Sequence, residues 1–175
     1  MIRFFEPTAF HRTLAATISI TLLCVALPSI ALADGHEKGE HAQEPAALKY
    51  RKNLMEIIGK NMGAIGNIMK NGLDMPGAIS THAGLMADSA VLIAPAFKKK
   101  ITEGRTDAKP EIWEDWAKFE EEIAEFEKAA RDLQKTAVSG DMAALVTGSK
   151  ALGKSCGGCH KAFRKPKEES FHNKK

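Results

Sequence analysis

Apolar residues recur four and three apart along most of the chain after residue 45, with polar residues filling the opposite helical face. The first such segment runs from Ala46 to Asn71, with Leu54, Ile58, Ile65 and Ile68 on one stripe and Met55, Met62 and Met69 on an adjoining one. Asn71-Gly72 stops it. A second runs from about Pro76 to Ala94, with Ile79, Ala83, Met86, Ala90 and Ile93 inward, and Pro95 is expected to end it. A long loop follows, from Pro95 to Lys109. The third helix opens with Pro110 in its first turn, and its apolar residues from Ile112 through Trp116, Phe119, Ile123, Phe126, Ala130 and Leu133 to Ala137 form an unbroken bundle seam. Ser139-Gly140-Asp141 makes a turn with Asp141 as N-cap of the fourth helix. There Leu145, Ser149, Leu152, Cys156, Cys159 and Phe163 repeat the same spacing. No segment alternates with period two. The pattern predicts an all-α, antiparallel up-down four-helix bundle over residues 46–165, with short turns and one long loop.

The ends of the chain read differently. Arg3 and Arg12 precede an apolar stretch from Leu14 to Leu32 that closes on Ala31-Leu32-Ala33, a basic region, an apolar region and a small-residue cleavage site. Residues 1–33 are therefore predicted to be a cleaved signal peptide. Thr17, Ser19, Thr21 and Pro28 interrupt the apolar run and argue against the alternative, a retained membrane anchor. Residues 34–45 read as a flexible leader, in which His36 and His41 are tail residues rather than a metal site. Residues 166–175 read as a basic C-terminal tail. Loss of Arg3, Arg12 and Glu6 removes two basic residues and one acidic, lowering the net charge from +3 to +2. So small a charge excludes nucleic-acid binding by bulk electrostatics. Lys161, Arg164, Lys165, Lys167, Lys174 and Lys175 nevertheless crowd one end of the chain.

Chemistry concentrates at Cys156-Gly157-Gly158-Cys159-His160. A Cys-x-x-Cys-His run is the attachment signature of c-type haem: two thiols add across two vinyl groups, and the adjacent imidazole coordinates iron. On a helix, residues three and four apart share a face, so all three side chains can turn toward one planar ligand. A zinc site would need two further Cys or His ligands, and a redox dithiol would need a βαβ surround. Cys24 leaves with the signal peptide, so Cys156 and Cys159 become the only thiols. Both serve haem, and an exported protein of this kind has no disulfide. Export to the bacterial periplasm is the simplest account.

A four-helix bundle with this motif on its last helix resembles the class II cytochromes c, the cytochrome c prime family. The resemblance spans the mature domain. It rests on Tyr50-Arg51-Lys52-Asn53-Leu54-Met55, Thr102-Glu103-Gly104, Lys109-Pro110-Glu111-Ile112-Trp113 and the run from Gly153 to Arg164. It implies one covalent haem c on Cys156 and Cys159, with His160 as proximal ligand. By the same resemblance Arg51 lies against a haem propionate, with Lys52 near that edge. Thr102 and Glu103 sit beside the haem, and Arg164 sits on its proximal side. For Arg51 and Arg164 the alternative is ordinary solvated helix charge.

The family has two branches. High-spin members leave iron five-coordinate and bind nitric oxide or carbon monoxide; low-spin members add a methionine from the first helix and carry electrons. The stretch from Leu54 to Met62 leans to the low-spin branch, with Met55 as sixth ligand. The leading expectation is therefore a periplasmic monohaem electron carrier, not an enzyme, docking through its C-terminal basic cluster on an acidic redox partner. The alternative is a gas-binding protein. His82, beside the Ile79–Met86 stripe, is expected to be structural. Many relatives pair through their first two helices, and the small-residue-rich second helix permits such a homodimer.

Overall fold

The computed structural model describes residues 44–171. The predicted signal peptide, the leader apart from Glu44 and Pro45, and residues 172–175 lie outside the described residues. Helix α1 spans Ala46–Asn71, as its stripe predicts, with Pro45 at its start. Gly72 closes it at φ 58°, a left-handed conformation that costs glycine nothing, and its N–H donates to the Ile68 carbonyl.

The second expected helix is two. Helix α2 covers Ala78–Ala90, a turn intervenes at Val91–Leu92, and α3 covers Ile93–Phe97. Pro95 does not end this segment. It is the third residue of α3, inside the first turn, where a missing N–H leaves no helical bond unmade. The third expected helix is also broken. Helix α4 is the single turn Glu111–Glu114, and α5 runs Trp116–Ser139. Asp115 parts them at φ −127°, ψ 67°, because its carboxylate accepts the Lys118 N–H at 3.0 Å and caps α5 instead of continuing α4. Helix α6 spans Met142–Phe163, with Asp141 accepting the Ala143 and Ala144 N–H groups at 2.9 and 3.1 Å. Such a cap contributes about 1 kcal/mol.

Helix α1 packs on α2, α2 on α5 and α5 on α6, so consecutive long helices are neighbours. Leu48, Ile65, Met86, Ile112, Leu133 and Leu152 are fully buried between them. Helices α6 and α5 approach closely at Gly148, where a Cβ would stand 3.1 Å from Leu133 Cδ1, so a larger residue would displace that side chain. Helices α1 and α6 are held apart along most of their length. They meet through side chains, Ser149 Oγ lying 3.1 Å from Met69 Sδ and Met62 lying against Gly153. Toward the start of α1 and the end of α6 the gap between them widens into a cavity.

No strand forms among the described residues; one isolated antiparallel bridge joins Ala108 to Arg164. It ties the long loop to the end of α6, with the Lys109 N–H donating to Phe163 O at 3.0 Å and the Lys165 N–H to Asp107 O at 2.8 Å. The chain beyond α6 turns through a short 3₁₀ helix, Lys167–Glu169, and packs on the bundle as far as Phe171. No helix among the described residues is long and apolar enough to cross a membrane.

Candidate functional site

The cavity between α1 and α6 has a volume of about 680 Å³ and is walled mainly by carbon. Helix α6 contributes Cys156, Cys159 and His160 to one side, and α1 contributes Arg51, Lys52, Met55, Ile58, Gly59 and Met62 to the other. Phe97, Phe119 and Phe163 close its floor, with ring centroids 5.2 Å apart for Phe97–Phe119 and 5.3 Å for Phe119–Phe163.

The motif sits where helical spacing puts it. Cys156 and Cys159 are half-buried against the core, whereas His160 stands exposed at the rim. Burial pushes the Cys159 thiol up to about 11, helped by the nearby Glu122 carboxylate and Cys156, and burial likewise raises Cys156. Both thiols are neutral at pH 7, so they pack as apolar groups. Desolvation, then the Arg164 charge, holds His160 below its ordinary 6.5, leaving a neutral imidazole with a free nitrogen lone pair. The motif's second glycine also lies close to α5: a Cβ on Gly158 would come 3.1 Å from Glu122 Oε2.

Arg51 is anchored by the protein itself at the cavity edge. It is 2% exposed, and its guanidinium donates to the carbonyls of Ala96, Lys99 and Ile101 at 3.4, 2.9 and 3.3 Å. Its carbon lies 4.3 Å from the Phe97 ring centroid and 5.4 Å from that of Trp113, whose indole N–H donates to Phe97 O at 2.7 Å. The solvated alternative is therefore excluded for Arg51, and burial lowers its pKa. Two of its five N–H groups remain for a ligand at the cavity edge. Lys52 lies at the same edge, paired with Glu44 at 2.8 Å.

Thr102 and Glu103 do not reach the cavity. The loop turns at Gly104, and the residues it delivers are Thr106, Asp107 and Ala108. Arg164 does line the cavity, half-exposed, with its guanidinium 3.3 Å from Asp107. Glu122, Thr106, Asp107 and Phe171 also line the cavity, and helical periodicity gives no means of finding them. His82 lies away from the cavity, its Nδ1 2.8 Å from the side-chain oxygen Oδ1 of Asn61, a structural contact.

Two thiols and a neutral imidazole converge on an apolar space within the roughly 300–1,000 Å³ range of cofactor pockets. No group of three or more His, Cys, Asp or Glu side chains among the described residues could hold a bare metal ion. The donor set fits a covalent porphyrin and not zinc. Fold and site together define a helical-bundle protein carrying one haem c.

The sequence profile of the family described as Cytochrome C' matches residues 46–164. Cytochrome c' of Rhodospirillum rubrum is 35% identical over 125 residues, which is 70% of this chain and 85% of that protein. Among solved structures, cytochrome c prime from Shewanella frigidimarina superposes with a TM-score of 0.63 at 29% identity, covering 69% of this chain and 94% of its own. The nitric oxide complex of a variant of cytochrome c prime from Alcaligenes xylosoxidans gives 0.60 at 30%, with the same coverage. The chain belongs to the cytochrome c' family, whose members bind haem c covalently through the two motif cysteines. The leaning toward the low-spin, Met/His-ligated branch finds no support in these matches, which carry the name of the typically high-spin cytochrome c'.

Proposed function

We propose that this chain is an exported, periplasmic haem c protein that takes up a small neutral gas, nitric oxide or carbon monoxide, on the side of the haem beneath α1. In this reading Cys156 and Cys159 form the thioethers, His160 supplies the axial nitrogen, and Met55 is a lid rather than a ligand. When bound, haem c supplies a redox-active iron with one position left for a diatomic molecule.

The observation that carries the reading is the composition of the α1 wall. Its two cationic side chains sit at the cavity edge and are held there by the protein, Arg51 through three of its five N–H groups on backbone carbonyls and Lys52 by Glu44. Aliphatic carbon, the thioethers of Met55 and Met62, and the exposed Glu56 make up the rest. Such a wall disfavours charged ligands through desolvation and leaves neutral diatomics favoured. The relative solved with nitric oxide bound supports the same reading.

A second reading keeps the electron carrier with Met55 on iron. It is favoured by one observation: Met55 lines the cavity one helical turn beyond Arg51. An acidic surface of its partner would dock at Lys161, which is exposed; Lys165 is less available, since its ammonium donates to Thr106 O at 3.1 Å. The exposed Tyr50, Ile57 and Leu85 on α1 and α2 support a homodimer through these helices.

Met55→Leu separates the two readings, because leucine matches methionine in volume but cannot coordinate. The gas-binding reading predicts an oxidised spectrum unchanged by the substitution. Conversion from low-spin to high-spin would assign Met55 to the iron and the protein to electron transfer.

A further inference from the structure

The segment after α6 would be expected to stay in water, being lysine, glutamate and serine around one proline, yet it folds back on the bundle. One side chain, Asp107, gathers several of its contacts. The Asp107 carboxylate accepts the Phe171 N–H at 2.9 Å on one oxygen, and the Ser170 hydroxyl at 2.8 Å and Arg164 at 3.3 Å on the other. The Asp107 carbonyl meanwhile accepts the Lys165 N–H at 2.8 Å. One residue therefore holds both the root and the tip of the segment. Ser170 is 5% exposed as a result.

The tip carries the only aromatic side chain between Phe163 and the end of the described residues, and that ring is a wall of the haem cavity. Lys52 Nζ lies 5.0 Å and Arg105 Cζ 5.5 Å from its centroid, so two cations flank the ring at the cavity's edge. Burying an aromatic ring on an apolar space removes water from both, which offsets the cost of ordering a polar strand.

We propose that residues 166–171 form a strap that closes the mouth of the haem cavity, with Asp107 as its latch and Phe171 as its cover. The strap screens the haem edge from water and from small solutes, whichever ligand the iron takes. Phe171 and Asp107 are positioning residues, since neither is assigned to the iron or to attachment. Burial alone would push the Asp107 carboxyl up, but the Phe171 amide, the Ser170 hydroxyl and Arg164 together hold it below its ordinary 3.8. The Asp107 carboxylate is therefore charged in the neutral range, the form that accepts from all three donors.

The full-length oxidised holoprotein tests this by hydrogen exchange at the Phe171 amide, paired with the rate of haem reduction by a small neutral reductant. The strap predicts an amide protected at least tenfold over an unstructured peptide, with most of that protection lost in Asp107→Asn. It predicts severalfold faster reduction in Phe171→Ala, a change at the chain's end that leaves the helical melting curve in place. Ser170→Ala, which removes one latch bond, should fall between. Phe171 exchanging at the free-peptide rate in the unmodified holoprotein, or unmodified reduction rates in both Asp107→Asn and Phe171→Ala, would overturn the proposal. Neither readout depends on gas binding, so a failed strap and a failed gas-binding reading remain distinguishable.

Discussion

Replacing Cys156 and Cys159 together with alanine should leave a chain that carries no covalent haem. After denaturation in acid acetone all of the colour should pass into the solvent, whereas the unmodified protein keeps it in the precipitate. The expectation follows from the donor set. Among the described residues these are the only thiols, and both open on the same cavity three residues apart on α6. Without the two thioethers only the exposed His160 and the apolar walls remain, and neither survives unfolding. Either single replacement should keep one tether and most of the colour, because one bond is enough to hold the porphyrin through denaturation. Extractable haem in the unmodified protein, or zinc in its place, would contradict the assignment.

Arg51→Ala should be the most destabilising substitution of a charged residue in the bundle. Hydrogen bonds from charged donors contribute about 1.5–3 kcal/mol each and are not additive, so removal of three should cost about 3 kcal/mol. That corresponds to a thermal midpoint roughly 10 °C lower for a domain of this size. The loss should be local in origin: the carbonyls of Ala96, Lys99 and Ile101 lose their donor, and Phe97 and Trp113 lose the guanidinium between them. Amide exchange should accordingly rise first over residues 98–105. Arg51→Lys should recover little, because one ammonium cannot reach three divergent carbonyls as the planar fork does. A fall of less than about 1 kcal/mol, with the loop unaffected, would mean that these carbonyls find other partners.

These expectations show where the sequence was legible. Both ends of α1 and the start of α6 are legible because the signals are local: a four-and-three repeat, Asn71-Gly72 at one stop and Asp141 at one start. The motif was readable because its three chemical groups lie within five residues of one another. The breaks at Val91–Leu92 and Asp115 were missed because both preserve the apolar periodicity on either side. Pro95 misled for a related reason: a proline signals a stop only if it falls beyond the first turn, and α3 begins two residues before it.

The loop was the harder case. Thr102 and Glu103 were placed at the haem by resemblance, yet the turn at Gly104 delivers Thr106, Asp107 and Ala108 instead. What fixes that choice is the bridge between Ala108 and Arg164, a pairing between residues far apart in sequence with no periodic signature. Phe171 escaped notice for the same reason. A lone aromatic in a charged tail has no pattern until Asp107 brings it to the cavity. Arg51 was found, but its commitment to three backbone carbonyls depends on the path of a loop that periodicity does not describe.

The central claim, one haem c with a position open to a neutral gas, is tested most directly by the optical spectrum of the unmodified protein before and after carbon monoxide. The oxidised protein should be high-spin, and the reduced protein should take up one equivalent of carbon monoxide with a clear shift of its main haem band. A low-spin oxidised spectrum showing the sulfur-to-iron charge-transfer band, with a reduced spectrum unmoved by carbon monoxide, would contradict it and put Met55 on the iron.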